Sequence, residues 1–256
     1  MKKFENKTAV VAGGGSGIGR ATAIALSAEG ASVAIIDINE KNASDTADTI
    51  KNEGGRAIAL PADVTKMAEA EEAVHMAVSE FGGINYLCNS AGLQTYGTVV
   101  STDEETWDKT LAVNLKSIYV VSKFCIPEIL KQGGGAIVNI SSVQGLRCQS
   151  NVSAYAASKG AAIALTRSMA LDYAKENIHI NCICPGSIDT PMLRYGAGKH
   201  GNVEEVLKLW GSHHPIGRVG TAEEIAQTVI FLFSDAAGFM IGQPVVVDGG
   251  LMSKIL

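Results

Sequence analysis

Short runs rich in Val, Ile and Ala recur along the chain at residues 8–12, 32–37, 56–60, 84–90, 136–141, 179–184 and 244–248. They are nearly continuous in apolar character rather than alternating, the pattern of strands covered on both faces of a parallel sheet. Longer segments with helical spacing separate them. The first, from Ile18, sets Ile18, Ala21, Thr22, Ala25 and Ala28 on one stripe and meets Gly30 just past its end, a fitting C-terminal stop. Strand and helix therefore alternate, which at this length leaves an eight-stranded β/α barrel or an open doubly wound sheet. Seven runs rather than eight favour the open sheet. No linker, low-complexity tract or internal repeat appears, so residues 1–256 read as a single domain. Residues 192–218 interrupt the alternation. They show no strand pattern, carry Gly, Lys, His and Trp, and read as a lid over a site.

The 256 residues are 46% hydrophobic and 18% charged, too apolar for a disordered chain and ample for a sizeable core. With 21 basic against 26 acidic residues the net charge is −5, which argues against a surface that tracks a phosphate backbone and hence against a nucleic-acid partner. Cys88, Cys125, Cys148, Cys182 and Cys184 form no CxxC pair and no metal-finger spacing, so they are expected to be reduced thiols, with Cys182 and Cys184 on the same side of a strand. His213 and His214 have no carboxylate or Cys at a familiar ligand spacing; a solvated loop and no metal site are expected. The start MKKFENK is interrupted by Glu5 before any apolar stretch of signal-peptide length, and the terminal residues 253–256 do not end in SKL. The longest uncharged stretch, residues 81–102, holds Asn, Gln, Gly and Thr and would not partition into a bilayer. A cytoplasmic protein without a membrane partner is the expectation.

Glycine, at 28 residues, is roughly 11% of the chain against a usual ~7%. The densest cluster follows the first strand run as AGGGSGIG, Ala12 to Gly19, with Gly13, Gly17 and Gly19 in a GxxxGxG spacing. Glycines there permit a tight turn and let backbone approach a pyrophosphate at a helix N-terminus. A plain turn is the other reading of the cluster alone. Asp37 ends the second strand run twenty residues after Gly17, where a carboxylate can accept hydrogen bonds from adenosine ribose hydroxyls. Strand, glycine turn, helix, strand and acid together point to a bound dinucleotide.

A second cluster begins at Ser142 and includes Tyr155-Ala-Ala-Ser-Lys159. On a helix Tyr155 and Lys159 share a face, so an ammonium can sit beside the phenol. A free phenol has a pKa near 10, so about one in a thousand is ionised at neutral pH, a deficit of about 4 kcal/mol for a base. A nearby Lys and a cationic nicotinamide ring would lower that cost. YxxxK alone is also compatible with a surface pair.

These residues resemble the short-chain dehydrogenase/reductase family, over nearly the whole chain. The matching motifs are Gly13 to Gly19, Asp63-Val64 after the third strand run, Asn89-Ser-Ala-Gly92 after the fourth, Asn114, Ser142 thirteen residues before Tyr155, Lys159, and PGSIDTP from Pro185 to Pro191. Two positions depart from the pattern: Ala12 stands where the family usually has Thr, and Ser90 replaces the second Asn of NNAG.

The resemblance implies a doubly wound Rossmann fold with a mainly parallel seven-stranded sheet, and an NAD-dependent oxidoreductase that interconverts a secondary alcohol and a ketone. It implies that Tyr155 is the general acid or base, that Ser142 hydrogen-bonds the reacting oxygen, that Lys159 binds the nicotinamide ribose while lowering the Tyr pKa, and that Asn114 holds a water linking Lys159 to solvent. Cofactor contacts would come from Gly13, Ser16, Gly17, Ile18, Gly19, Asp37, Asp63, Val64, Asn89, Ala91, Gly92, Pro185, Gly186, Ile188 and Thr190. Asp37 would repel a 2′-phosphate, hence NAD. Loops around the reacting carbon would bring Gln94, Tyr96, Gln144, Gln149 and Met192 into range, with His213, Arg194 and Arg147 as further candidates; buried amides need partners, so a small polar substrate such as a sugar or polyol is expected. Residues 152–174 carry only Lys159, Arg167 and Asp172 as charges, too apolar for a helix with one wet face, and the family's usual homotetramer would cover them. An NADPH-linked 3-oxoacyl thioester reductase and a catalytically silent dinucleotide sensor are the competing functions.

Overall fold

The computed structural model describes residues 2–254. Strand β1 (Thr8–Ala12) leads to helix α1 (Gly17–Ala28), β2 (Ser32–Asp37) to α2 (Glu40–Asn52), and β3 (Arg56–Pro61) to α3 (Met67–Phe81). After β4 (Tyr86–Asn89), helix α4 (Glu104–Leu111) continues through a π-helical turn (Ala112–Lys116) into α5 (Ser117–Lys131). Then come β5 (Gly135–Ile140), α6 (Ser153–Tyr173), β6 (Ile178–Pro185), β7 (Ile188–Asp189), α7 (Pro191–Gly198), α8 (Val203–His213), β8 (Gly220–Thr221), α9 (Ala222–Phe233) and β9 (Pro244–Val247).

Seven strands form one sheet in the order β3-β2-β1-β4-β5-β6-β9, all paired in parallel. An open sheet with β3 and β9 at its edges excludes the barrel. The strands are apolar throughout because both faces are covered. Ala9 and Val11 of β1 face a core shared with Ala23 and Leu26 of α1 and Ile225 and Val229 of α9. Val10 and Ala12 face the opposite core, with Val74 of α3, Val121 of α5 and Ala162 of α6. Alternate residues thus serve alternate layers, the two-fold repeat of an extended chain.

Three sequence expectations change. Helix α1 buries Ala23 and Leu26 and exposes Ala28, so the single stripe was incomplete: α9 packs on the flank of α1 that the sheet does not cover. Gly30 does lie just past the helix end, at φ +98°. Strand β4 starts at Tyr86 because Asn85 turns its side chain to accept from Thr8 N–H at 3.0 Å. His214 is buried, not solvated, and its Nδ1 donates to the Asp248 carbonyl; His213 alone is exposed. The reading of the chain's extreme ends at Met1, Ile255 and Leu256 lies outside the described residues.

Residues 192–218 contain no strand and are largely helical, α7 and α8, with β7 and β8 pairing at the base of the excursion. Thr190 caps α7 by accepting from Leu193 N–H at 3.3 Å. Thr221 and Glu224 form a reciprocal capping box that starts α9.

Candidate active site

The strand order reverses at β1, which pairs with β2 on one side and β4 on the other, and a cleft opens there at the carboxyl ends of the strands. It holds about 1300 Å³ of empty space, counting its open mouth. The glycine turn forms its floor. Gly13 has φ +75°, and a β-carbon there would lie 2.5 Å from Ala91 N; at Gly19 a β-carbon would run into the Gly13 carbonyl. Backbone from three segments meets where side chains would stand, which is why the spacing demands glycine. Gly13, Ser16, Gly17 and Ile18 line the cleft, while Gly19 lies beneath it.

Asp37 closes one end. Its Oδ2 accepts from Gly15 N–H and its Oδ1 from Asn39 N–H, each at 2.9 Å. Each oxygen keeps a lone pair for a further donor. Asp63 and Val64 form the adjoining wall. Partial burial raises the Asp63 pKa, but hydrogen bonds from the Thr65 hydroxyl (2.7 Å) and N–H (3.0 Å), with the charges of Lys66 and Lys116, leave it below the usual carboxylate range. Ala91 and Gly92 line the cleft, but Asn89 does not: its Nδ2 braces the sheet, donating to Asn139 Oδ1 at 2.8 Å and Ser122 Oγ at 3.3 Å.

The opposite end is built by β5 and α6. Ser142 follows β5 and caps a short 3₁₀ turn (Val143–Gly145), accepting from Gln144 N–H at 3.1 Å, and its hydroxyl is near enough to the Tyr155 phenol to favour the phenolate. One helical turn on, Lys159 lies with its Nζ 5.8 Å from the Tyr155 ring centroid and donates to the Ile140 carbonyl at 2.8 Å. Burial pushes Tyr155 up to about 12, with the Ser142 hydroxyl pulling the other way, and pushes Lys159 down to about 8. The expectation that Lys159 lowers the phenol is therefore outweighed here by desolvation, because the ammonium is turned to a carbonyl.

Asn114 sits in the π-helical turn, fully buried and off the cleft wall. Its Oδ1 accepts from Leu93 N–H at 2.8 Å and its Nδ2 donates to the Leu93 carbonyl at 2.9 Å and Ser158 Oγ at 3.0 Å. Both Nδ2 protons are thus engaged and the amide braces the loop after β4, while Oδ1 keeps one acceptor position open. From β6 onward, Pro185, Gly186, Ile188 and Thr190 line the cleft, and Thr190 Cγ2 lies 3.2 Å from the β-carbon position of Gly17.

Ile36, Ile38, Ala62, Thr65, Val113, Ser141 and Leu193 also line the cleft, and nothing in the sequence motifs marks them. Most resemble core or cap residues locally. Ile38 carried a usable signal, an apolar residue directly after the strand-end acid, and it is 74% exposed.

A family model described as enoyl-(acyl carrier protein) reductase matches residues 12–252. The chain belongs to the short-chain dehydrogenase/reductase family. This short-chain dehydrogenase is 42% identical to a cyclohexanol dehydrogenase of an Acinetobacter species over 98% of this chain and 97% of that one. It is 35% identical to a 3-oxoacyl acyl-carrier-protein reductase of Thermotoga maritima, over 98% and 99%. An aldohexose dehydrogenase of Thermoplasma acidophilum superposes with a TM-score of 0.90 at 35% identity, covering 99% of this chain and 97% of that one. The protein is thus an oxidoreductase of a family whose dehydrogenases use nicotinamide dinucleotides. Cyclic alcohol, acyl thioester and sugar all occur among the relatives' names, so kinship does not choose the substrate.

The substrate end of this short-chain dehydrogenase differs from expectation. Gln94 and Met192 line the cleft. Tyr96 stands behind them, half-buried with its phenol raised by desolvation, its ring 6.3 Å from that of His200 and 5.5 Å from Lys199 Nζ. The Gln144 side chain is held by the loop backbone, its Oε1 accepting from the Gln149 main-chain N–H at 2.9 Å, and neither Gln144 nor Gln149 lines the cleft. Arg194 is held by Asp189 through two bonds (2.6 and 2.7 Å) and by Glu204 at 2.7 Å, so it does not serve as a free cation for a substrate. Arg147 and His213 are exposed.

Proposed function

We propose that this short-chain dehydrogenase uses NAD to interconvert a small, uncharged secondary alcohol and its ketone. The observation that carries this reading is one cleft with Asp37 at one end and Tyr155, Ser142 and Lys159 at the other. Asp37 and the glycine turn fit the adenosine ribose and pyrophosphate. Among the described residues that line the cleft beside Asp37 none is a cation that would offset a 2′-phosphate, Ile38 being its exposed neighbour. NAD, when bound, supplies the hydride acceptor. Ser142 then holds the reacting hydroxyl, Tyr155 removes its proton, and Lys159 holds the nicotinamide ribose and favours the phenolate. The helices of residues 192–218 act as the lid.

With Arg194 engaged, an anionic substrate lacks a partner. Gln94 and the Tyr96 phenol support a sugar or polyol; Met192 and Leu193, with Gln144 and Gln149 off the cleft wall, support an apolar ring as the second reading. The intact Ser142, Tyr155 and Lys159 set argues against a silent sensor, and Asp37 against an NADPH-linked thioester reductase. We also propose a cytoplasmic homotetramer. Four of the five cysteines are buried and all five are free, and α6 exposes Leu171 (77%) beside Ala157, Ala164 and Ser168. Among the described residues no helix is long and apolar enough to cross a membrane.

The test is kcat/KM with NAD and with NADP for glucose, sorbitol, cyclohexanol and 2-butanol. NAD is expected to win by at least about tenfold, and Asp37→Ala with Ile38→Arg to shift the preference toward NADP. Equal use of both cofactors refutes the cofactor reading. Apolar alcohols ahead by tenfold or more replace the sugar reading by the ring reading.

A further inference from the structure

Ser158 precedes Lys159 on α6, is fully buried, and has no part in the roles above. Its hydroxyl donates to the Tyr155 carbonyl at 2.7 Å and accepts from Asn114 Nδ2 at 3.0 Å. The same Asn114 amide grips both backbone groups of Leu93, the residue before Gln94. Ser158 therefore ties the helix that carries Tyr155 and Lys159 to the π-helical turn and, through it, to the loop that reaches the substrate end. The amide's direction has a chemical consequence. Asn114 Oδ1 and Lys159 Nζ each lie 3.5 Å from the point where a β-carbon on Gly92 would stand, so the amide oxygen and the buried ammonium flank the same spot beside Gly92.

We propose that Ser158 is a positioning residue: its hydroxyl fixes the Asn114 amide so that Oδ1 supports the Lys159 ammonium beside Tyr155. The proposal rests on Tyr155 and Lys159 being the acid–base pair. Without the hydroxyl, one Asn114 N–H is left buried and unpaired, and the amide, held by Leu93 alone, is less firmly directed. The ammonium then loses an acceptor dipole and is less favoured, and with it the phenolate. Other groups facing the pair stay in place: the Cys182 and Cys184 thiols of β6 beside Lys159, and Tyr96 and Ser142 beside Tyr155.

Ser158→Ala tests this. With NAD and cyclohexanol or glucose, whichever the wild type turns over, kcat is expected to fall about tenfold, with the pH–rate profile for oxidation displaced upward by about half a unit. NAD affinity, read by cofactor fluorescence in the NADH form, is expected to stay within about twofold. Ser158→Thr, which keeps the hydroxyl, should keep the wild-type profile. The Tyr155 titration is also followed without substrate, as the tyrosinate absorbance difference between each protein and its Tyr155→Phe counterpart; an upward shift in Ser158→Ala supports the proposal. That measurement separates the two claims, since absence of wild-type turnover defeats the acid–base reading alone. An unshifted profile and an unshifted tyrosinate titration in Ser158→Ala overturn the proposal, whatever happens to Tm.

Discussion

Lys159 is 4% exposed, and its ammonium has a neutral carbonyl as hydrogen-bond acceptor, so the native fold carries a charge that burial opposes. Its folded pKa, about 8, lies below the ordinary lysine value of 10.5, so from about pH 8 to 10.5 the unfolded chain binds more protons than the native one and stability rises with pH. Lys159→Met should therefore raise stability at pH 7 by about 1–3 kcal/mol while abolishing turnover, with the gain shrinking as pH rises to about 10; thermal melts across pH read this directly. A variant no more stable than wild type at pH 7 would show that the ammonium is not opposed by its surroundings. At the neighbouring position, Tyr155→Phe should lower kcat by about 10²–10⁴-fold and leave NAD affinity within about twofold. Because burial pushes the phenol up to about 12, alcohol oxidation by the wild type, which needs the phenolate, should climb with pH through neutrality, whereas ketone reduction, which needs the protonated phenol, should stay level there. Retained activity in Tyr155→Phe would send the search for the base elsewhere in the cleft.

Helix α7 is short, its cap is one Thr190 bond at 3.3 Å, and the bonds from Arg194 to Asp189 and Glu204 staple it to β7 and α8. All three side chains of that cluster are about a third or more exposed, so their net effect on folding is small, about 0–1 kcal/mol. Their local effect is larger, because Met192 and Leu193 on the same helix line the cleft. Arg194→Ala should leave Tm nearly unchanged and raise KM for the alcohol about three- to tenfold, since a looser α7 must be ordered at each binding event. A KM equal to that of wild type would mean that α7 does not close on the substrate. The two expectations separate an element that gates the site from one that supports the core.

Two cores, one on each face of the sheet, account for the stability of the whole molecule, yet α5 and α6 still expose Tyr119 (48%), Leu130 (38%) and Leu171 (77%) to solvent. The proposed tetramer would bury that surface. Sedimentation at micromolar concentration should show a tetramer for the wild type, and Leu171→Glu should move it to smaller species by placing like charges across a self-complementary contact. A wild-type monomer under those conditions would remove the assembly proposal while leaving the cleft as described.

Where a residue's local conformation depends on neighbours close in the chain, the sequence alone settled it. Unbroken apolar runs required two-sided burial, Gly13, Gly17 and Gly19 marked the turn that admits no β-carbon, Asp37 ended β2, and Tyr155 and Lys159 fell on one helical face. Where the role depends on a partner far along the chain, the tertiary structure decided. Asn114 is committed to Leu93 and Ser158, 21 and 44 residues away, and His214 is buried by a bond to Asp248, 34 residues on. Asn89 looked like a cofactor contact but braces Asn139, its neighbour across the sheet. Periodicity and glycine spacing record what the backbone must do locally, whereas a polar side chain has several geometrically equal partners until folding brings one of them within hydrogen-bond reach.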